Sequence, residues 1–364
     1  MTPRNLVLAA GCLLAWTLPA QAQVNNPDYG CSYLAEVSFD ADSNHITACA
    51  ASARIGQSMH AVNDAVALAL RRRFAPDQIA PAGLTLDPAE ALARLAPSAI
   101  TIVPTADLPS AVASAPRWNV WLDGRYSWVD GDADLSDLEG PLANFTLGAD
   151  YKVSDSVILG IMALRETSRQ EAPGFPWSRV ETDGWGGGVY GAWSINQTWM
   201  LSGNAAWMDL DSQFGGNDYD NTRVQTAAAL TGNFYSGTWR FTPSLNFAWS
   251  REKQEETTGG WPDQTFYTAA LSPALQIGNT VAISDKVTVE PWAGAQLDWN
   301  FLDKTREEGS GTLRSDADTD LRLQAGLNFS FAGRAQLALM GEVSGLIMDD
   351  SDTYMGGAQF AFQF

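Results

Sequence analysis

Histidine is nearly missing: the 364 residues contain two, His45 and His60, and none after them. Imidazole is the commonest proton-transfer group of hydrolases, so His-dependent catalysis is excluded from everything downstream of His60. Basic residues are also scarce. Lys and Arg total 22 against 42 Asp and Glu, a formal charge of −20, which excludes a nucleic-acid partner because phosphate binding needs clustered cations. Beyond the first twenty-odd residues there is no apolar run of the roughly 20 residues that a membrane-spanning helix requires. A chain of this kind crosses a bilayer only as a closed β-barrel.

Cysteine is sparse too, with three in the chain. Cys12 lies in the leader, and no lipoprotein cleavage pattern follows it. Cys31 and Cys49 then make a pair in an exported chain, where an oxidising compartment favours a disulfide, worth about 3 kcal/mol in the chain-entropy picture. The two cysteines with His45 match no zinc spacing. No metal, cofactor or catalytic residue is expected.

What is present begins with a leader. In MTPRNLVLAAGCLLAWTLPAQAQ, Arg4 is the positive end, Leu6 to Leu18 the apolar core and Ala20-Gln21-Ala22 a small-x-small cleavage site, so residues 1–22 are expected to be a secretory signal. Residues 23–74 form a small segment with the two cysteines and one predicted helix, Arg54–Phe74. Its stripe of Ile55, Met59, Val62, Val66 and Leu70 has helical spacing, and Arg71-Arg72-Arg73 at its end reads as a solvated basic run that complements the helix dipole. Residues 75–116 are a Pro/Ala-rich linker with a short helix, Pro88–Leu95, capped by Asp87.

From residue 117 the texture is that of strands. Twelve alternating stretches can be marked: Trp118–Asp130, Leu142–Val153, Val157–Arg169, Val180–Ile195, Thr198–Leu210, Thr222–Tyr235, Thr238–Arg251, Gln264–Ile277, Lys286–Phe301, Asp318–Phe331, Arg334–Met348 and Thr353–Phe364. Trp239, Phe241, Leu245, Phe247 and Trp249 fall on one face, with Arg240, Thr242, Ser244 and Asn246 on the other. A period of two places each set on its own side of a sheet, and the second set is too polar for a soluble core. Fourteen tryptophans and 32 glycines suit strands that end at a membrane interface, although a carbohydrate-binding surface is Trp-rich as well.

Short turns, such as Ser154-Asp155 and Ser284-Asp285, alternate with longer loops at Gly131–Pro141, Gln170–Arg179, Asp211–Asn221, Glu252–Asp263, Leu302–Ala317 and, shorter, Asp349–Asp352. That order predicts an all-β, twelve-stranded antiparallel transmembrane barrel over 117–364, preceded by a short helical segment. It would sit in an outer membrane amid lipid and lipopolysaccharide, its turns periplasmic.

On the expected lumenal side, Arg125, Arg240 and Arg322 are predicted to pair with Glu290, Asp298 and Glu342 around a plug or water. Outer-membrane enzymes of the phospholipase and protease types need a histidine that the barrel region lacks. The cluster Gly184-Trp185-Gly186-Gly187-Gly188 lacks the Lys and helix start of a phosphate loop, so bending or close approach of a plug is its expected role. Acidic loop positions, Asp130, Asp132, Asp134, Asp137, Glu139, Asp316, Asp318 and Asp320, do not follow the spacing of a calcium loop.

The stretches WNVWLDGRYSWVD, LGADYKVSDSVILG and WRFTPSLNFAWSREKQ, with the final FAFQF, together resemble the C-terminal β-domain of autotransporters. The resemblance implies a translocator barrel in the outer membrane of a Gram-negative bacterium, with a helix in its lumen leading an N-terminal passenger. It also implies that Tyr354, Phe360, Phe362 and Phe364 are read by the barrel-assembly machinery. The upstream part departs from the family: residues 23–117 are short for a passenger and contain no repeat. Either the neighbourhood of Pro88–Leu95 or the longer helix would fill the lumen. The leading expectation is a barrel that anchors and exports its short N-terminal segment. The alternative is a small-solute channel or structural outer-membrane protein whose N-terminal segment stays periplasmic. A third reading puts an enzyme or adhesin activity in Val24–Phe74. Oligomeric state is left open.

Overall fold

The computed structural model describes residues 39–74 and 116–364, apart from 132–138, 172–178, 257–262, 308–310, 315–317 and 348–350. The expected signal peptide, Cys31, and the expected linker over 75–115 with its expected short helix lie outside the described residues.

Among the described residues one helix, α1 (Phe39–Phe74), precedes twelve wall strands. These are β1 (Trp118–Gly131), β2 (Gly140–Lys152), β3 (Val157–Gln170), β4 (Val180–Ser194), β5 (Trp199–Phe214) and β6 (Asn217–Gly232, continued by Phe234–Ser236). They continue with β7 (Trp239–Gln254), β8 (Gln264–Asn279, continued by Val281–Ser284), β9 (Val287–Glu307), β10 (Asp318–Phe331), β11 (Ala335–Ser344) and β12 (Ser351–Gln363). Each strand pairs antiparallel with its sequence neighbours, and β1 pairs with β12 from Asn119↔Gln363 to Gly131↔Ser351. The sheet is therefore a closed barrel. Closure removes the open edge whose backbone amides would otherwise face lipid unsatisfied.

Alternation sorts the wall into two surfaces. Outward positions such as Trp118, Val120, Leu122, Tyr126 and Trp128 on β1 are exposed, while Asn119, Trp121, Asp123, Arg125 and Ser127 between them are buried. On β12 the exposed set is Tyr354, Phe360, Phe362 and Phe364, with Gln359 and Gln363 inside. Burial here is inverted relative to a soluble protein: large apolar side chains face out, towards lipid, and polar ones face in.

Strands run further than the apolar alternation suggests. Asp211–Asn221 reads as a long loop because it is rich in Asp, Asn and Gly; instead β5 and β6 stay paired through Asp211↔Asp220, Ser212↔Tyr219, Gln213↔Asp218 and Phe214↔Asn217. Gly215 and Gly216, at φ of 57° and 85°, make a two-residue turn whose left-handed backbone suits glycine. The inward residues Ser212, Phe214, Tyr219 and Asn221 are buried, so this hairpin still obeys period two after its outward face has become polar. β9 likewise runs on to Glu307, where Gly311–Arg314 pairs back onto it. The long connection expected there is partly ladder.

The helix is also longer than predicted. It starts at Phe39, not Arg54. Residues 39–53 lack Gly and Pro and are Ala-rich, which favours helix, but they show no clear apolar stripe by which to recognise it.

Candidate functional site

α1 occupies the barrel lumen. At 1.5 Å per residue, Arg54 to Arg73 spans roughly 28 Å, about the thickness of a bilayer core, and a further four turns or so lead up to Phe39. Its two sides meet different walls. Val62, Ala65, Val66, Ala69 and Leu70 pack with Trp121, Ile158, Met162, Leu164, Tyr190, Met200, Met208 and Leu210, so the lumen is apolar along β3–β5. Ile55 meets Phe266 on β8, and Met59 meets Ala227 and Ala248. The stripe read from the sequence is a core stripe, but the core it enters is the inside of a membrane barrel.

Glycine makes room for this packing. On β4 the inward positions Gly184, Gly186 and Gly188 carry no side chain; a Cβ at any of them would fall 2.4 Å from a carbonyl oxygen of β5. On β2, a Cβ at Gly148 would lie 2.2 Å from the Trp121 ring. Trp121 rests there with its Nε1 donating to Tyr190 Oη at 2.7 Å, and Tyr190 Oη donates to Asp150 at 3.0 Å.

Ionic contacts also tie the helix to the wall, at three heights. Near the loop rim, Arg54 of α1 donates to Glu166 on β3 at 3.2 Å and to Glu252 on β7. Arg223 on β6 donates through Nε to Glu252 at 2.7 Å and through Nη1 and Nη2 to Glu166 at 2.7 and 3.0 Å. All four side chains are essentially inaccessible. At mid-height, Asp64 of α1 accepts from Arg125 at 3.2 Å, Arg125 also reaches Asp123 at 2.9 Å, and His60 Nε2 lies 3.9 Å from Asp298. Arg322 joins Asp298 at 3.1 Å to Glu342 at 2.6 Å, and Gln359 donates to the Ala65 carbonyl at 2.9 Å.

At the turn rim, Arg71 donates to Gln276 at 2.9 Å and Arg73 pairs with Asp150 at 3.1 Å. Arg73 also donates to the carbonyls of Pro116 and Arg117, both at 2.8 Å. The solvated basic run expected from sequence is corrected here: Arg71 and Arg73 are tied to the wall. A charge-rich helix end reads as surface only if its surroundings are water, and here they are a polar lumen.

A family model described as the autotransporter beta-domain matches residues 120–265, which is β1 to the start of β8. Over these residues the barrel matches the autotransporter β-domain. It lies in the outer membrane of a Gram-negative bacterium, and its family is one of translocator barrels. The β-domain of the Bordetella autotransporter BrkA is 15% identical, with a TM-score of 0.54 over 68% of this chain and 100% of that one. The transport unit of the autotransporter AIDA-I from Escherichia coli is 13% identical, with a TM-score of 0.52 over 71% of this chain and 94% of that one. At these identities the two share the fold. No curated protein sequence matches the chain significantly.

In this barrel the six polar residues singled out from sequence all face the lumen. Arg240 and Glu290 form one group near the turn rim at 2.5 Å, with Asn328 donating to Glu290 at 3.0 Å. Arg322, Asp298 and Glu342 form another, and Arg125 belongs to a third with Asp123 and Asp64. Sequence reasoning did not single out Glu166, Arg223 and Glu252. Glu252 lies in what read as a loop, and the sign that it belongs to the wall is its place on the inward parity of β7 with Arg240, Thr242 and Asn246. The chemical exclusion also needs amending. No histidine lies on the strands, yet α1 carries His60 into the barrel. Cys49 lies in the backbone of α1, while its expected partner Cys31 is outside the described residues.

Proposed function

We propose that this outer-membrane barrel anchors the chain and carries the residues before α1 to the cell exterior, leaving α1 in the lumen as a plug. The observation that supports this reading is the direction of α1. Its C-terminal Arg73 touches Pro116 and Arg117 at the rim where β1 begins, and that is the rim of the short turns. Its N-terminal half leads past Gln57, bonded to Thr353 at the start of β12, and past Arg54, towards the rim of the loops. In barrels of this type short turns face the periplasm and loops face outside. The N-terminal end of α1, at Phe39, is thus aimed outwards, the side to which this reading takes the Cys31–Cys49 disulfide.

The same reading gives the barrel itself no covalent chemistry. It makes lipid, lipopolysaccharide and the barrel-assembly machinery its partners, the last through the outward aromatic row Tyr354, Phe360, Phe362 and Phe364. The test is an epitope placed between Val24 and Tyr29 and protease added to intact cells. Removal of the epitope is expected. Full protection with an intact outer membrane overturns export and favours a barrel whose N-terminal segment stays periplasmic.

A further inference from the structure

Four side chains near the loop rim form a closed square: Arg54 and Arg223 each bridge Glu166 and Glu252. Three of the four belong to the wall. Arg223 and Glu252 are directly opposite each other on β6 and β7, whereas Glu166 reaches over from β3. The inward neighbour of Glu166 on β4 is Gly184, followed by Gly186; without side chains at these positions the long arms of Glu166 and Arg223 meet above the sheet. Arg223 holds one oxygen of Glu252 and both oxygens of Glu166. The remaining Glu252 oxygen, with Oε1 of Glu166, points into the lumen. The wall alone sums to one negative charge, buried, with two acceptors on separate carboxylates. A planar fork with two donors completes it, and Arg54 supplies that fork through Nη1 and Nη2.

The upstream sequence gives this geometry a meaning. Residues 5–53 contain no Lys and no Arg, and their charged residues are Asp28, Glu36, Asp40 and Asp42, with His45 near the end. Arg54 is thus the first guanidinium that a segment leaving through the lumen ahead of α1 brings to these carboxylates. Between Arg4 in the expected leader and Arg54, no side chain brings a guanidinium or an ammonium group to pair with them.

We infer that Glu166, Glu252 and Arg223 form a guanidinium-binding site built into the barrel wall, and that Arg54, on reaching it, halts the outgoing chain with α1 seated in the lumen. The halting role rests on the export reading above; the binding site does not.

Two measurements on the full-length chain separate them. In the first, Arg54→Ala empties the site. The temperature at which the barrel loses its heat-modifiable, folded mobility is expected to fall by several degrees. Methylguanidinium should restore most of the loss and methylammonium little of it, and Glu252→Gln added to Arg54→Ala should abolish the rescue. Equal effects of the two cations, or none, overturn the site. Should Arg54→Ala fail to assemble, Arg54→Lys keeps the charge without the fork; a barrel of wild-type heat stability then overturns the guanidinium assignment.

In the second, the arginine is moved one turn, as Arg54→Ala with Ser58→Arg. The helix is expected to settle about 6 Å further out, four residues at 1.5 Å each. A Gln57→Cys/Ser127→Cys crosslink, placed where these side chains are hydrogen-bonded at 3.1 Å, should then be lost. An unchanged crosslink overturns the halting role even if the cation rescue succeeds. Failure of export itself appears instead in the protease test on intact cells.

Discussion

Trp118 and Phe364 exchange both of their backbone hydrogen bonds, each N–H donating to the other's carbonyl at 3.1 Å. This reciprocal pair closes the seam between β1 and β12 at the turn rim, and Asn119↔Gln363 continues it. Deleting Phe364 removes both bonds and a lipid-facing ring together. Unsatisfied amides at a membrane edge cost several kcal/mol each, so a clear drop in heat-modifiable barrel is expected on gel electrophoresis. A normal yield would contradict the role given to that seam.

The buried ionic square makes a second prediction. Arg223→Met leaves Glu166 and Glu252 facing each other with only Arg54 between them. Breaking a buried charge pair from one side costs about 3–5 kcal/mol, measurable by urea unfolding in detergent. Adding Glu252→Gln should recover much of the loss because the charge sum returns to zero. If the double variant is no more stable than the single one, the coupling drawn between these residues is absent.

Gly148 tests the lumen packing. Its missing Cβ is where the Trp121 ring lies, at 2.2 Å. Gly148→Ala should destabilise the barrel by about 1–3 kcal/mol through overpacking, and shift Trp fluorescence as the indole loses its place beside Tyr190. Unchanged fluorescence and stability would place the ring elsewhere.

Ala332 sits in the turn between β10 and β11 with φ of 49°, the one non-glycine at positive φ among the described residues. A left-handed conformation costs an L-residue roughly 1–2 kcal/mol. Ala332→Gly is therefore expected to raise the unfolding midpoint slightly, the relief being partly offset by glycine's greater unfolded-state freedom. A lowered midpoint would show that this turn is unstrained.

Much of the wall was legible because period two is a local signal. Trp239, Phe241, Leu245 and Phe247 announce an outward face within nine residues, whatever lies elsewhere in the chain. Legibility stopped where the outward face left the lipid. In the β5–β6 hairpin the outward surface is polar, and Asp211–Asn221 reads as a loop although every residue up to Phe214 is paired. The lumen's apolar side was hidden for the mirror-image reason. Met162, Leu164, Met208 and Leu210 occupy the parity expected to be polar, and only the helix packed against them explains why.

Residue order alone therefore settles that this chain builds a cylinder with a lipid face and a lumenal face, since that follows from alternation and from turns and loops read a few residues at a time. What stands inside the cylinder is decided by the tertiary structure. Arg54 meets Glu166 and Glu252 across 112 and 198 positions of sequence. Contacts so distant arise only once closure has brought β3, β6 and β7 around a common space. The physical reason is that charge pairing has no period: a carboxylate's partner is whichever cation the fold carries to it.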